Sequence, residues 1–504
     1  MAPLTLGLDA STTACKAIVW DLEGRPVAEG RAPLELLKPK PLWHEQDAES
    51  WWRALTEAVS AALAGRAECA DRIAALCIAP QRETFVPVDA QGAPLRNAIV
   101  WMDERCRALL PDIAGDYGAD RFHAETGKPL SGNLAVGKLA WLRAHEPEVF
   151  ARTHKVLDVG AFLIHRLTGA YRTGWGCVDP LGLFDMRRNA WNAPLLSYLG
   201  LDVAQLPEAF PPGAVVGTLT RRAAEACGLR PGTPVVAGVG DGQAGGLGVN
   251  VTAPGEAYLN LGTAVVSGAY TERYLTDRAF RTMYAGVPGA YSLETVLLGG
   301  TYTVDWFVEK VATPNGDPSA NADLLAHYDA ALDDVPPGAE GLMLVPYWNS
   351  AMNPYWDAGA SGIVVGWRGI HTPRHLYRAI LEGIAFEQRL HTEGVEAALG
   401  ATVDRFVAVG GGARSDRWCQ IIADVTGKPL VRSATPEAAA LGAGIQAAVG
   451  AGLFDDMREA AAAMTLPRSA PILPDEARHA TYDRLYTDVY RDLFPPPSSP
   501  PSTA

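Results

Sequence analysis

Residues 235–248, VVAGVGDGQAGGLG, constrain the fold of this chain more than any other stretch. They begin as an apolar run of the kind that forms a buried strand, and they continue through Asp241 into a tract of Gly and Ala. Because glycine has no side chain, another group can approach such a backbone closely. An acid held there can act as a general base on a bound ligand. The alternative is a strand that ends in a solvated Asp-Gly turn, and three other glycine-marked strands in the chain favour the ligand interpretation.

Length and composition bound the class of protein. At 504 residues the chain is too long for a single core, and two domains of roughly 250 residues fit. The formal net charge is −14 and no basic cluster occurs, so nucleic acid is not an expected partner. No apolar run reaches the ~18 residues of a membrane span, and no leader pattern precedes the first strand. The seven cysteines are scattered without a CxxC pair, which argues against disulfides and zinc; we therefore expect a cytoplasmic protein.

Two segments predict similar hairpins with small polar tips. Residues 4–20 form an apolar strand that ends in Asp9, a Ser-Thr-Thr turn and a second strand. Small residues let backbone N–H groups face an anion, and Asp9 could hold a hydrated Mg²⁺ beside it. The alternative is an ordinary hairpin with a polar tip. Residues 255–266 repeat this character with Gly262 and Thr263 at the turn, so two such turns facing each other would grip a polyphosphate.

Two further segments suggest ligand contacts. Residues 81–84, Gln-Arg-Glu-Thr, lie between two predicted strands and form either a surface turn or the lining of a pocket. Adjacent Arg and Glu side chains can donate to and accept from a polyhydroxylated ligand, although a surface ion pair is the alternative. Residues 406–425 read as a strand, a glycine-rich turn and a helix, an arrangement that can seat an anion or nucleotide.

Taken together, these segments resemble the motifs of the FGGY family of carbohydrate kinases, and the resemblance extends to about residue 492. LGLDASTTACKAIVWD is similar to the first phosphate motif of the family, and YLNLGTA to the second. AGVGDGQAGGLG is similar to the segment that carries the catalytic base. VAVGGGARSDRWCQIIADVTGKP, followed by EAAALGA, resembles the adenosine motif.

The resemblance implies an α/β fold of two actin- and hexokinase-like (ribonuclease H-like) domains with a ligand cleft between them. The N-terminal domain, residues 1–245, would bind the sugar and carry the first phosphate motif. Residues 246–492 would form the nucleotide-binding domain, and residues 493–504 a disordered Pro/Ser tail. The implied reaction is ATP-dependent phosphorylation of a sugar or polyol hydroxyl, assisted by Mg²⁺. A homodimer is also expected from the resemblance.

The resemblance also implies roles for particular residues. Asp241 would take the proton from the attacking hydroxyl, and Asp9 together with Asp241 would support Mg²⁺. The residues expected to contact ATP are Thr12, Thr13, Lys16, Gly262, Thr263, Gly300, Gly412, Ala413 and Asp416. Those expected to bind the sugar are Gln81, Arg82, Glu83, Asn133 and Asp241.

The identity of the acceptor is less sharply indicated. Gln81, Arg82 and Glu83 resemble the pattern with which glycerol kinases hold the polyol, but Asn133 stands where those enzymes have Tyr, and Gly242 where they have Gln. These smaller residues predict a roomier pocket. The Gly-Asp-Gly-Gln-Ala-Gly-Gly run resembles xylulokinases, which usually have Met-His in place of Arg82-Glu83. We expect a pentulose such as xylulose, with a glycerol- or tetritol-sized polyol as the alternative. A non-catalytic sugar-binding or regulatory module and, more remotely, an actin-like assembly protein are alternatives from other classes.

Overall fold

The computed structural model describes residues 2–313, 321–348, 350–435 and 437–494, without the side chains of residues 321–323. A six-stranded sheet forms the centre of the N-terminal half, with strand order β5-β6-β4-β1-β2-β3. Its strands are β1 (Leu4–Ala10), β2 (Ala14–Trp20), β3 (Pro26–Pro33), β4 (Ile73–Pro80), β5 (Val215–Thr218) and β6 (Pro234–Val236). Strand β2 pairs antiparallel with both β1 and β3, and β4 pairs in parallel with both β1 and β6.

A second six-stranded sheet forms the centre of the C-terminal half, with strand order β9-β10-β8-β7-β11-β12. Its strands are β7 (Glu256–Leu261), β8 (Val265–Thr271), β9 (Arg281–Tyr284), β10 (Tyr291–Leu297), β11 (Arg405–Val409) and β12 (Leu430–Arg432). The hairpin β7–β8 and the parallel pair β7–β11 correspond to the hairpin β1–β2 and the parallel pair β1–β4. The two halves are therefore built on the same central arrangement of strands.

The principal helices form three layers around these sheets. They are α1 (Ala48–Leu63), α2 (Val159–Thr168), α3 (Asp241–Gly248), α4 (Thr301–Phe307), α5 (Pro373–Leu399), α6 (Asp416–Thr426), α7 (Ala438–Gly450) and α8 (Glu476–Asp488). Helices α1 and α2 cover the outer face of the N-terminal sheet, while α5 and α6 cover the outer face of the C-terminal sheet and α8 packs against these two helices. Helices α3 and α7 pack between the two sheets.

The remaining elements are short. A four-stranded sheet in the N-terminal half contains, in spatial order, Glu45–Gln46, Ala98–Ile99, Phe85–Val88 and Lys155–Asp158. Two-stranded pairs are formed by Arg172–Gly174 with Glu208–Phe210, Phe184–Asp185 with Ala190–Trp191, and Met343–Val345 with Ile363–Val365. The other α-helices are Ala67–Ala70, Leu110–Ile113, Ala119–Thr126, Ala135–His145, Pro147–Arg152, Trp175–Val178, Ala193–Leu199, Arg221–Cys227, Asn321–Ala330 and Met457–Met464. In the described part of the chain, no helix combines the length and the apolar character needed to cross a bilayer.

Glycines allow α7 to approach the N-terminal sheet and α3 at backbone distance. A Cβ atom on Gly7 of β1 would lie 1.9 Å from the carbonyl oxygen of Ala440, and one on Gly442 would lie 2.0 Å from the carbonyl oxygen of Ala244. Side chains at these positions would separate the elements. Helix α7, which follows the C-terminal sheet in sequence, thus packs directly on the N-terminal sheet.

The structure contains the two predicted α/β halves, but the expected boundaries differ in detail. The predicted boundary between residues 245 and 246 falls inside α3, which runs unbroken to Gly248. Phe494, assigned to the tail from sequence, packs on Tyr347 and Tyr355 with ring centroids 4.9 and 4.8 Å away, so the ordered core continues past residue 492. The rest of the predicted tail, residues 495–504, lies outside the described residues.

Candidate active site

Asp241 is the first residue of α3 and follows the buried strand β6. Its Oδ1 accepts the Gly242 N–H at 2.8 Å and pairs with Nε of Arg82 at 3.0 Å. The side chain keeps 37% of its surface accessible, so a ligand can reach it. Burial raises the pKa of Asp241, and Arg82 and the Gly242 N–H offset part of that increase. The carboxylate is therefore oriented through Oδ1, reachable, and more basic than an ordinary aspartate.

Asp9 lies near the end of β1, opposite Lys16 in the hairpin register. It is 8% exposed, and within the described residues its Oδ1 has no hydrogen-bond partner. Burial, followed by the neighbouring Asp241 carboxylate, raises the pKa of Asp9 to about 7. A buried carboxylate oxygen without a donor is costly unless a cation satisfies it. The pair Asp9 and Asp241 therefore fits a cation.

The donor set at this position suits Mg²⁺. This ion is usually held by one or two carboxylates, with waters and phosphate oxygens completing its shell. In the portion of the chain that the structure describes, no group of three His, Cys, Asp or Glu side chains is arranged to hold a metal. Two carboxylates beside a turn that is predicted to bind phosphate match the Mg²⁺ pattern, whereas a site made entirely of protein ligands does not fit.

Hydrogen bonds connect the first hairpin turn to the substrate loop, the name used for residues 81–84 after their predicted role. Thr12 Oγ1 donates to Oε1 of Gln81 at 3.2 Å and accepts from Nε1 of Trp101 at 3.0 Å. Gln81 in turn donates to Gln46 at 2.8 Å and is only 2% exposed. Gln81, which is predicted to bind the sugar, is a buried residue whose hydrogen bonds fix the turn, and its contact with the sugar stays a prediction. Thr13, at the tip, is exposed.

Lys16, predicted to meet the terminal phosphates, forms an ion pair that crosses between the halves. Its Nζ lies 2.5 Å from Oε2 of Glu437, the residue before α7, and both side chains remain partly exposed. The ammonium group is thus at the candidate site but already has a carboxylate partner. The sequence places Glu437 at the start of the EAAALGA segment but does not indicate its pairing with Lys16, because 421 positions separate the two residues.

Arg82 and Glu83 do not pair with each other, contrary to the surface ion-pair alternative. Besides Asp241, Arg82 reaches Oε2 of Glu294 with Nη1 at 2.7 Å. Glu83 is 4% exposed and lies 2.5 Å from Nη1 of Arg281. Arg281 and Glu294 belong to the C-terminal sheet, so the substrate loop is held across the interface between the halves.

Sequence reasoning missed Arg281 and Glu294. A signal was present, because Arg281 begins a strand whose other three residues are buried, and Glu294 lies inside a strand with five other buried residues. Lys, Glu, Arg and Asp are almost never fully buried unless paired. The partners themselves lie about 200 positions away, which local patterns do not reveal.

The expectation of a roomier pocket stays a prediction, and the packing around Gly242 does not favour it. A Cβ atom there would lie 3.0 Å from Oε2 of Glu294 and 3.1 Å from Nη2 of Arg82, so these side chains already fill that space. Asn133 is partly exposed, and its Oδ1 accepts the Ser131 hydroxyl at 2.6 Å.

The backbone of the loop around Asn133 is fixed by a buried lysine. Lys138 is 0% exposed and donates to the carbonyl oxygens of Asn133 and Trp101 at 2.6 and 2.9 Å. Burial lowers the pKa of Lys138 to about 8. The lysine connects the Asn133 loop to Trp101, whose indole donates to Thr12.

The second predicted phosphate turn lies between β7 and β8 and is supported by the start of α4. The Thr301 N–H donates to the Gly262 carbonyl at 2.9 Å, and the Tyr302 N–H to that of Thr263 at 3.2 Å. A Cβ atom on Gly300 would lie 2.8 Å from the Gly262 carbonyl oxygen. Gly300 therefore allows the close packing that shapes this turn, and Thr263 is exposed at its tip.

The predicted adenosine motif forms the turn between β11 and α6. Gly410 has a φ of +89°, and a Cβ atom on Gly412 would lie 2.3 Å from the Trp418 ring. Ala413 is buried at 6% exposure. Asp416 pairs with Arg432 at 2.5 Å and keeps 86% of its side-chain surface accessible. The glycines shape the turn by close packing, whereas Asp416 is a surface residue with a protein partner.

Known proteins match this chain along most of its length. Residues 4–248 match the N-terminal domain of the FGGY family of carbohydrate kinases, and residues 257–451 match its C-terminal domain. Xylulose kinase of Escherichia coli K12 is 30% identical over 97% of this chain and 99% of its own length. Glycerol kinase 2 of Streptomyces avermitilis is 30% identical over 90% of this chain and 89% of its own length.

Solved structures agree with these matches. The crystal structure of xylulose kinase from Rhodospirillum rubrum superposes with a TM-score of 0.89 at 30% identity, covering 97% of this chain and 98% of that one. The actin- and hexokinase-like fold predicted from sequence is thereby confirmed. Both halves, their motifs and their strand arrangement lead to one conclusion: this chain belongs to the FGGY family of carbohydrate kinases.

Proposed function

We propose that this kinase phosphorylates a hydroxyl group of a pentulose, such as xylulose, with Asp241 as the general base. Its family consists of phosphotransferases that take the phosphoryl group from ATP. The observation that carries the proposal is the environment of Asp241, which is accessible, held through Oδ1 and raised in pKa by burial. Xylulose kinases and glycerol kinases are both among the relatives at about 30% identity.

The contacts of the substrate loop support a pentulose over a short polyol. A glycerol-kinase-like role would require Arg82 and Glu83 to be available to the acceptor. Here Arg82 gives Nε to Asp241 and Nη1 to Glu294, and one oxygen of Glu83 is taken by Arg281. Fewer groups therefore remain for adjacent hydroxyls of a small polyol. Asn133, shorter than the tyrosine of glycerol kinases, leaves room for a longer acceptor.

In the reaction, Asp241 accepts the proton of the acceptor hydroxyl while that oxygen forms a bond to the γ-phosphorus of ATP. The bond between this phosphorus and the β,γ-bridging oxygen breaks, and ADP leaves. Such transfers depend on positioning and on neutralising phosphate charge. Mg²⁺ near Asp9 would supply part of that neutralisation. The exposed hydroxyls of Thr13 and Thr263 are the donors that the two hairpin turns offer.

An ADP-release assay across D-xylulose, D-ribulose, erythritol and glycerol tests the proposal. We expect the highest kcat/KM with a pentulose. A higher kcat/KM with glycerol or erythritol would favour the short-polyol alternative, and no ADP release with any acceptor would contradict the proposal. Asp241→Asn should lower kcat by ~10²–10⁴-fold, the usual cost of removing a general base. ATP binding by titration calorimetry should persist in that variant, and near-normal turnover would exclude Asp241 as the base.

A further inference from the structure

Arg281 and Glu294 face each other on neighbouring strands of the C-terminal sheet. They are directly opposite in the register of β9 and β10. Arg281 is 5% exposed and Glu294 is 1% exposed. Both Nε and Nη2 of Arg281 bind Oε1 of Glu294, at 2.7 and 2.6 Å. The pair is therefore a rigid, buried unit whose remaining groups point to other partners.

Glu294 is the centre of this unit. Its second oxygen, Oε2, accepts from Nη1 of Arg82 at 2.7 Å and from the Tyr258 hydroxyl at 3.0 Å. Burial alone would raise the pKa of Glu294, but Arg281 and Arg82 outweigh it and lower the pKa to about 2. Glu294 is thus a permanent anion that holds one arginine from each half of the molecule.

These contacts form a series of ion pairs. Both ends of this series are residues of the N-terminal half that are expected to lie at the acceptor site. The order is Asp241, Arg82, Glu294, Arg281 and Glu83, with neighbouring charges of opposite sign throughout. Every link is 3.0 Å or shorter. The C-terminal half therefore fixes the two carboxylates between which an acceptor would bind.

Glu83 needs such support because its backbone is unusual. Its φ of +55° is uncommon for a residue other than glycine, and such conformations persist where surrounding contacts enforce them. Buried ion pairs contribute little net stability compared with well-packed apolar residues. The series of ion pairs across the halves is accordingly better explained by the geometry that it enforces than by a contribution to folding stability.

We propose that Arg281 and Glu294 are specificity-determining positioning residues of the acceptor site. Arg281 takes Oε1 of Glu83 and leaves one oxygen for an acceptor hydroxyl, while Glu294 takes Nη1 of Arg82. The pair thereby restricts an Arg-Glu motif that would otherwise bind two neighbouring hydroxyls of a small polyol. This inference rests on the proposed pentulose kinase function and on the acceptor roles of Arg82 and Glu83.

The test is a double variant, Arg281→Met with Glu294→Gln, which removes both charges of the pair together and frees Glu83 from its arginine, while Arg82 keeps its contact with Asp241. We expect kcat/KM for the preferred pentulose to fall ~10²-fold, the usual cost of misplacing a bound reactant. The ratio of kcat/KM for glycerol to that for the pentulose should rise at least ~10-fold, because both oxygens of Glu83 become available. The KM for ATP should change little. Arg281→Lys, which keeps the charge, should retain part of the pentulose preference.

The matched control is Arg378→Met with Glu382→Gln, another buried Arg–Glu pair in the C-terminal half, with an Nε–Oε1 distance of 2.6 Å. It should leave the acceptor ratio unchanged. An equal loss for all acceptors, or the same shift in the control, would overturn the inference. If the double variant fails to fold, the ratio of kcat/KM for glycerol to that for the pentulose is measured in Arg281→Lys instead. A ratio equal to that of the wild type would overturn the inference. The wild-type acceptor panel tests the proposed function separately, so the failure of one is distinguishable from that of the other.

Discussion

In the N-terminal half, the central hairpin begins with a strand that carries the buried carboxylate of Asp9 one residue before its end. In the C-terminal half, the corresponding strand β7 runs into Gly262, and the turn is shaped by the close approach of Gly300. The strands are arranged alike. The hairpin of the N-terminal half carries a charged side chain, whereas the turn of the C-terminal half has a backbone that is shaped by close packing. Sheet topology thus determines where the two turns are, while the residues at the strand ends determine what each turn can do.

The largest expected effect comes from a comparison of the two turns, in which one variant removes a charge and the other removes a hydrogen-bonding hydroxyl. Asp9→Asn should lower kcat roughly 10²–10³-fold, as when one group that stabilises transition-state charge is lost. Thr263→Ala, in the C-terminal turn, removes a neutral hydroxyl and should cost about 10-fold or less, since such a hydrogen bond contributes about 1 kcal/mol. Steady-state kinetics at saturating Mg²⁺ and ATP measure both. Equal losses would show that the two turns contribute in the same way.

The next prediction concerns the closely packed backbone of the C-terminal turn. In Gly300→Ala, the new Cβ would lie 2.7 Å from the Val265 nitrogen and 2.8 Å from the Gly262 carbonyl oxygen, so the C-terminal turn must move. We expect kcat/KM for ATP to fall about 10²-fold, as for a displacement of about 1 Å in a reacting group. Gly245→Ala in α3, where a Cβ meets nothing within 4 Å, is the matched control and should retain activity. Full activity of Gly300→Ala would contradict this account of the turn.

How much of this site follows from sequence depends on how local each feature is. Asp9, Asp241 and the two turns were identified because each combines an apolar strand with a short polar or glycine-rich turn within some ten residues. The neighbouring Asp241 carboxylate contributes to the raised pKa of Asp9, and the shared Mg²⁺ site stays a prediction. The role of Asp241 as the base stays a prediction, as does the homodimer.

Features that depend on pairing between distant strands were not predicted. Arg281 contacts Glu83, and Glu294 contacts Arg82, only because the two sheets meet around α3 and α7. The hydrogen bonds of Gln81 were not predicted for the same reason, since its partners Thr12 and Gln46 come from other elements. Strand order in each sheet likewise requires tertiary contacts that local patterns do not contain.

A third prediction compares two buried acids that share a pKa of about 7. Asp9 lies at the candidate site, whereas Glu387 on α5 accepts the hydroxyls of Tyr347 and Tyr490 at 2.6 and 2.9 Å. Burial raises the pKa of Glu387 from 4.5, so between pH 4.5 and 7 the unfolded chain releases a proton that the folded chain retains. This contribution to stability is complete below pH 4.5 and is lost as the pH rises through 7.

Glu387→Gln should therefore reduce the loss of unfolding free energy between pH 5 and pH 8 by on the order of 2–3 kcal/mol. Urea unfolding at the two pH values measures the difference. Glu393→Gln, on the same helix and also bonded to a tyrosine hydroxyl but 42% exposed, is the control. Catalytic rates of Glu387→Gln near neutral pH should match wild type, and a large loss of turnover would mean that the two acids are not functionally distinct.

The smallest expected effect tests the outer edge of the nucleotide motif. Asp416→Ala breaks an exposed ion pair with Arg432 and should change the KM for ATP by at most about threefold, because exposed ion pairs contribute little. Titration calorimetry with ATP provides a direct measurement. A tenfold or larger loss of ATP affinity would instead support the contact between Asp416 and the adenosine that the family resemblance implied.

The position of α7 has a consequence for how the protein is made. The N-terminal sheet is complete once the ribosome has passed Val236, but the helix that covers its inner face ends at Gly450. At synthesis rates of about 5–20 residues per second, that face remains uncovered for roughly 10–40 s. During this interval the nascent chain exposes an apolar surface lined by small residues such as Ala75 and Cys77. The first half of the molecule is therefore the part that most needs protection from aggregation before translation ends.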